Sequence, residues 1–175
     1  MTVQKSCITI DSTDLPALAA ALQKGFLMEI NTGCSVRELL RTQWKLSDEY
    51  VARRISTLFI DGKPVDNLDT AVIEEGTTLA LSCAMPGLVG AVMRRDGLLS
   101  SFRSGITYSH AAGNVVTLQG RIRVRLFNML IRELGPGFLK DGIEVDVNDL
   151  TPGFRDKYAV RPHHRSEKIR IGLDI

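Results

Sequence analysis

The chain has 175 residues and a mass of 19.3 kDa, is 44% hydrophobic and 24% charged, and carries a formal charge of +2. These values suit one generous soluble domain or two small ones, and they exclude a mostly disordered chain, a collagen-like fibre and a disulfide scaffold. The charge is uneven: residues 1–90 hold 8 Lys+Arg against 11 Asp+Glu, residues 91–175 hold 14 against 9, and 11 of those 14 cations are arginine.

Residues 7–10 alternate and are β-branched, which predicts a strand. Asp14 before Pro16 marks a helix start, Leu15, Leu18, Ala19 and Leu22 keep helical spacing, and Gly25 stops that helix. Residues 26–30 read as a second strand and residues 31–33 as a turn. Ser35, with Glu38 three positions on, has the spacing of a capping box, and Trp44 is expected to close that helix in the core. Ser47 opens another helical piece. Residues 58–60 form a strand that runs into Asp61-Gly62, the strongest hairpin signal in the chain. Residues 68–71 suggest a helical turn, Glu75-Gly76 a turn, and residues 77–83 a strand broken by Pro86-Gly87. Residues 76–93 as a whole read as strand plus loop.

Beyond residue 90 the pattern loosens. Residues 91–103 are mixed, and residues 105–109 and 115–118 are expected to pair as strands around the 111–114 turn. Residues 121–124 allow either a helix or a strand leading into a helix near Leu126. Gly135-Pro136-Gly137 is expected to stop that helix. Residues 143–147 predict a strand with Glu144 and Asp146 facing outward, residues 151–153 a turn, and residues 168–175 a final strand.

Residues 1–5 lack the basic segment and apolar core of a secretory signal, and no 18-residue apolar run occurs. Cys7, Cys34 and Cys83 are widely spaced, with no C-x-x-C and no zinc-like Cys/His cluster. The expectation is a cytoplasmic chain with no membrane contact and no cofactor.

Three stretches resemble a known family. Cys34-Ser35-Val36-Arg37-Glu38-Leu39-Leu40 is similar to the "TVRELL" helix start of ThiS/MoaD-type sulfur carriers. LFIDGKPV at residues 58–65 is similar to their "VNGKPV" hairpin, and LDTAVIEEGTTLAL at residues 68–81 follows their "LDTPLKDGDEVAL" in order and spacing. The resemblance covers about residues 26–90. It implies a ubiquitin-like β-grasp, a mixed sheet wrapped on one helix. Carriers end in Gly-Gly, whose carboxylate is adenylated and converted to a thiocarboxylate. Residues 84–90 here read AMPGLVG, no Gly-Gly occurs, and the chain continues for 85 residues past Gly90. The family's reactive terminus therefore does not carry over.

Other constellations are thin. There is no Walker loop, no G-x-G-x-x-G and no G-x-S-x-G elbow. Gly87-x-x-Gly90 follows a strand, where a close backbone approach to a ligand is the functional reading and a loop or linker the plain one. Cys83 and Cys34 read as buried packing residues. His163-His164, with distant His110, would need Asp156 or Glu167 to hold an ion, and a surface loop is the simpler reading. Arg121, Arg123 and Arg125 alternate with Ile122 and Val124, so on a strand they would form a one-sided basic row suited to phosphate. Aromatic residues do not interleave with that row, and nucleic acid is not expected as a partner.

The sequence thus predicts an α+β protein: a β-grasp domain at residues 1–90 and a basic α+β region at residues 91–175. The expected role is a non-catalytic protein-interaction or assembly module with a protein partner, including a second copy of itself. The alternatives are a sulfur-carrier precursor cleaved near Gly90, and a small enzyme or ligand-binding protein with a site between the halves near residues 83–90. Gly87, Gly90, Arg121, Arg123 and Arg125 are the candidate interaction or ligand residues.

Overall fold

A computed structural model describes residues 7–103, 105–109, 116–161 and 167–173. The protein is mixed α/β, with both parallel and antiparallel strand pairing. Its contacts divide it into two compact units, Met1–Met28 with Val124–Ile175, and Glu29–Arg123. The break read from the sequence at residues 86–90 lies inside the second unit. Two strands, Phe26–Thr32 and Leu118–Phe127, run across the unit boundaries.

In the first unit Cys7–Ile10 pairs parallel with Lys168–Leu173, which pairs antiparallel with Ile143–Asp146, which in turn meets Phe26–Thr32 at Leu27. Helices Leu15–Lys24 and Leu130–Asp141 pack against each other, and Phe26 and Phe138 stack with ring centroids 5.5 Å apart. Leu18, Leu22, Phe26, Leu130, Leu139 and Ile171 are fully buried here. The second helix runs through the predicted stop, with Pro136 in its interior. The reason is tertiary: a Cβ on Gly135 would stand 3.2 Å from Leu15 Cδ1 and Leu22 Cδ1, so the glycine lets the helices approach closely. That burial outweighs a helix-interior proline, whose missing N–H and ring clash cost about 3 kcal/mol.

Local signals fare differently along this unit. Asp14 precedes the first helix but makes no cap hydrogen bond; Asp11 instead accepts from Thr13 N at 2.7 Å and caps the 3₁₀ turn Ser12–Asp14. Glu144 is buried rather than outward-facing. Its strand has neighbours on both sides, and Glu144 stands directly opposite Arg170. Residues 151–153 begin the helix Pro152–Lys157, capped by Thr151 Oγ1, which accepts from Phe154 N at 3.3 Å. Thr-Pro is an N-cap and first-turn pair as well as a turn signal.

In the second unit the strand order is Phe26–Thr32, Leu118–Phe127, Thr78–Ser82, Thr57–Ile60 and Lys63–Pro64, through the residues each contributes. The Asp61-Gly62 hairpin forms as expected: both residues have positive φ, and Ile60 pairs with Lys63. Ser35 Oγ accepts from Glu38 N at 3.2 Å and caps Val36–Glu38, which continues as a π-helical turn, Leu39–Gln43. Ser47 caps Asp48–Arg54 through Tyr50 N at 3.1 Å. The predicted 31–33 turn is shorter, because the strand continues to Thr32 and the chain bends only at Gly33, φ 76°. Trp44 is half-buried.

Residues 105–109 are not a strand. Ile106 N and Thr107 N both donate to Arg103 O, at 2.9 and 3.1 Å, which winds the segment into a turn. The 111–114 turn, His110 and the His163-His164 pair lie outside the described residues. Among the described residues no helix is long and apolar enough to cross a membrane.

Candidate functional site

The features that stand out from the fold gather at residues 82–107, all within the second unit. Strand Thr78–Ser82 ends where Ser56 Oγ donates to Cys83 O at 2.8 Å. The chain leaves, forms helix Gly87–Met93, and returns where Arg95 N donates to Ser56 O at 2.8 Å. One serine thus fastens both ends of the excursion. Gly87 has φ 73°, and Gly90 is buried, with Met85 O 1.8 Å from where its Cβ would be. Only glycine lets the helix fold back onto Met85 at that point. The strand-plus-loop reading of residues 76–93 is corrected to a strand and a helix, because this reversal is fixed by contact with Ser56 and Met85 and not by local propensity.

Arg103 locks the segment after the helix. Its side chain is 1% exposed. Nη1 and Nη2 donate to the two oxygens of Asp66 at 2.9 and 2.5 Å, Nε donates to Val92 O at 2.7 Å, and Nη2 also reaches Arg94 O at 3.3 Å. This planar fork suits a guanidinium and no other side chain. Tyr108 adds a further tie, donating its OH to Val72 O at 3.1 Å.

The excursion walls a cavity of about 790 Å³ lined by Arg53, Cys83, Gly87, Gly90, Arg94 and Arg95, among others. A second cavity, about 470 Å³, is lined by Arg37, Asp48, Asp66, Asp69, Arg95 and Asp96. Arg95 and Asp96 belong to both walls. In the second cavity Arg37 forms a fork with Asp69, and its hydrogen bonds raise its own pKa and lower that of Asp69. The side chain of Arg95 is 9% exposed, and burial pushes its pKa below the ordinary arginine value. Its nearest acceptors are distant: Asp96 Oδ2 at 3.6 Å and Val51 O at 3.4 Å.

The outer surface of the same segment is apolar. Leu88 is 73% exposed, Val89 61%, Leu98 99% and Phe102 80%. The helix Gly87–Met93 packs directly on the 3₁₀ turn Ser100–Arg103 that carries Phe102.

Of the residues singled out from the sequence, Gly87 and Gly90 line the larger cavity. The Arg121, Arg123 and Arg125 row does lie on a strand, alternating with fully buried Ile122, Val124 and Leu126. It is engaged locally: Arg121 Nε lies 3.8 Å from Glu29, Arg121 N donates to Glu75 at 2.6 Å, and Arg125 donates to Gln23 O at 3.1 Å and lies over the Phe127 ring. None of the three lines either cavity. Arg94, Arg95 and Arg103 were not singled out, although a lone cation pair behind an apolar helix was the available signal. Among the described residues no three His, Cys, Asp or Glu side chains gather as a metal site. No family model, no curated protein and no solved structure matches the chain.

Proposed function

We propose that the chain is a non-catalytic protein-interaction or assembly module of the cytoplasm, built on a ThiS/MoaD-like β-grasp scaffold, and that residues 87–103 make the contact. The observation that carries this reading is the exposure of Leu88, Val89, Leu98 and Phe102 on one short, firmly anchored segment. Contiguous exposed apolar side chains on a soluble protein mark interaction surfaces. The anchoring matters as much, since a segment tied down by Ser56 and Arg103 loses little conformational freedom on docking. The scaffold part rests on the sequence resemblance, with which the Asp61-Gly62 hairpin and the Ser35-capped helix are compatible.

A partner presenting an apolar surface fits this segment. A photo-crosslinking residue at position 102, in cells producing the chain, tests the proposal. The expected result is a discrete adduct that is absent when the crosslinker replaces exposed Arg41. Equal, diffuse labelling from both positions would overturn it. Sedimentation of the purified chain then tells self-association from contact with another protein.

The sulfur-carrier precursor reading is less well supported. Cleavage near Gly90 would fall inside a helix, at a buried glycine. An intact mass of the cellular protein showing the full chain and no thiocarboxylate would dispose of it.

A further inference from the structure

We propose that the 790 Å³ cavity is a binding site for a small amphiphilic anion, a carboxylate or phosphate group carried on an apolar body. This inference is distinct from the docking reading, because it rests on the arginine-bearing wall and not on exposed Leu88, Val89 and Phe102; only Leu98 belongs to both.

Four observations converge. The volume lies within the usual range of small-molecule pockets, about 300–1,000 Å³. The charged side chains on the wall are Arg53, Arg94 and Arg95 against Asp96 alone, and the Asp96 side chain is 84% exposed. Arg53 is partly engaged, with Glu49 at 3.0 Å, and Arg94 makes no ion pair among the described residues. Arg95 is a nearly buried guanidinium whose two side-chain contacts, with Val51 O and the Asp96 carboxylate, are both long, 3.4 and 3.6 Å. Its pairing with the exposed Asp96 is loose, and the planar guanidinium matches a carboxylate or phosphate with two parallel hydrogen bonds.

The rest of the wall sets the other half of the ligand. Ala52, Ala84, Met85, Leu98 and Leu99 supply an apolar lining beside the arginines. A bare inorganic anion would leave that lining wet, and a neutral hydrocarbon would leave Arg94 and Arg95 without a partner. A molecule with both parts satisfies both. Cys83, half-buried on the same wall, reports occupancy.

The experiment is calorimetric titration with octanoate, octyl phosphate, octanol and inorganic phosphate, together with the rate of Cys83 alkylation followed by peptide mass. Saturable binding of octanoate or octyl phosphate is expected, at least about tenfold tighter than octanol or inorganic phosphate, a difference of about 1.4 kcal/mol. Whichever amphiphile binds tighter identifies the headgroup. Occupancy should slow Cys83 alkylation and leave exposed Cys7 unchanged. Arg95→Met should weaken binding at least about tenfold, and Arg94→Met, at an exposed position where folding is not at stake, should weaken it by about threefold or more. The proposal is overturned if neither amphiphile saturates by about 5 mM, a Kd weaker than about −3 kcal/mol. It is equally overturned if octanol binds as well as octanoate, or if Arg94→Met leaves binding and Cys83 protection intact.

Discussion

Lys157 Nζ donates to both carboxylate oxygens of Asp14, at 2.7 and 2.9 Å, and Tyr158 OH donates to the same carboxylate. Two ends of the first unit, 143 residues apart in sequence, are tied at one nearly buried acid. The ion pair with Lys157 first, and the Tyr158 hydrogen bond second, hold the Asp14 carboxyl below its ordinary pKa of 3.8. The same contacts raise Lys157 above 10.5 and Tyr158 above 10.0.

The pH dependence follows from those directions. A depressed acid stabilises the fold fully above the unfolded-state pKa, and that contribution is lost as pH falls through the lowered folded value. Acid destabilisation should therefore include an Asp14 component at and below pH 3.8, while the raised Lys157 and Tyr158 contribute stability that disappears only above pH 10. Asp14→Asn should cost about 1–3 kcal/mol at neutral pH through lost charge-assisted hydrogen bonds. It should also flatten the acid limb of a plot of urea midpoint against pH. Parallel profiles for the two chains would show that Asp14 carries no such linkage.

Asp14 also shows where sequence reading stops. Its place before Pro16 correctly located a helix start, because the geometry of a proline in the first turn is local, although Asp14 itself makes no cap hydrogen bond. Its partners Lys157 and Tyr158 are not legible from any spacing. The same division recurs: Asp61-Gly62, Ser35 and Ser47 carry local turn and cap chemistry and fall where expected. Gly135-Pro136 misleads because a distant contact with Leu15 and Leu22 overrides the local stop. At the candidate site Gly87 and Gly90 were legible as glycines at a chain reversal. Arg95 and Arg103 were not, since the burial of a charge depends on Ser56, Val51 and Asp66, all far away in sequence.

Gly87 and Gly90 should respond differently to alanine. At Gly90 a Cβ would overlap Met85 backbone atoms at 1.8 and 2.4 Å, so the helix must move off Met85. Overpacking of this kind costs about 1–3 kcal/mol or more. At Gly87 nothing lies within 4 Å, and only the positive φ of 73° is penalised, at about 1–2 kcal/mol. Equilibrium unfolding should rank Gly90→Ala as the less stable, and an unchanged midpoint for it would mean that Met85 and Gly90 are not in contact in solution.

The Arg103–Asp66 fork, beside the Ser56 and Tyr108 ties, anchors the part of the segment that follows the helix. Arg103→Met removes it and strands Asp66, at a cost of about 3 kcal/mol, the low end for a broken buried pair because Asp66 is partly exposed. Arg103→Lys keeps the charge but cannot reach both Asp66 oxygens and the Val92 carbonyl in one plane, so it should recover less than half of that loss. Thermolysin should then cut near Leu98 and Phe102 faster in both variants than in the unmodified chain. Full recovery of stability and protease resistance by lysine would show that charge alone, without the fork, holds the segment.

The three thiols should separate cleanly in rate. Cys7 is exposed, Cys83 half-buried and Cys34 buried. Cys34 Sγ donates to Asn31 O at 3.2 Å and accepts from Gln43 Nε2 at 3.5 Å. Burial, and after it the charge of Glu38, pushes its pKa above the ordinary 9.0. Alkylation needs both thiolate and access, so in native buffer at mildly alkaline pH Cys7 should react first and Cys83 next, with Cys34 at least about tenfold slower than Cys7. In denaturant, where both differences vanish, the three rates should converge. Peptide mass mapping over a time course reads all three at once. If Cys34 were modified as fast as Cys7 in native buffer, the strand pair Cys34–Ser35 with Val72–Ile73 would have to open readily, and the anchoring ascribed to this part of the unit would fail with it.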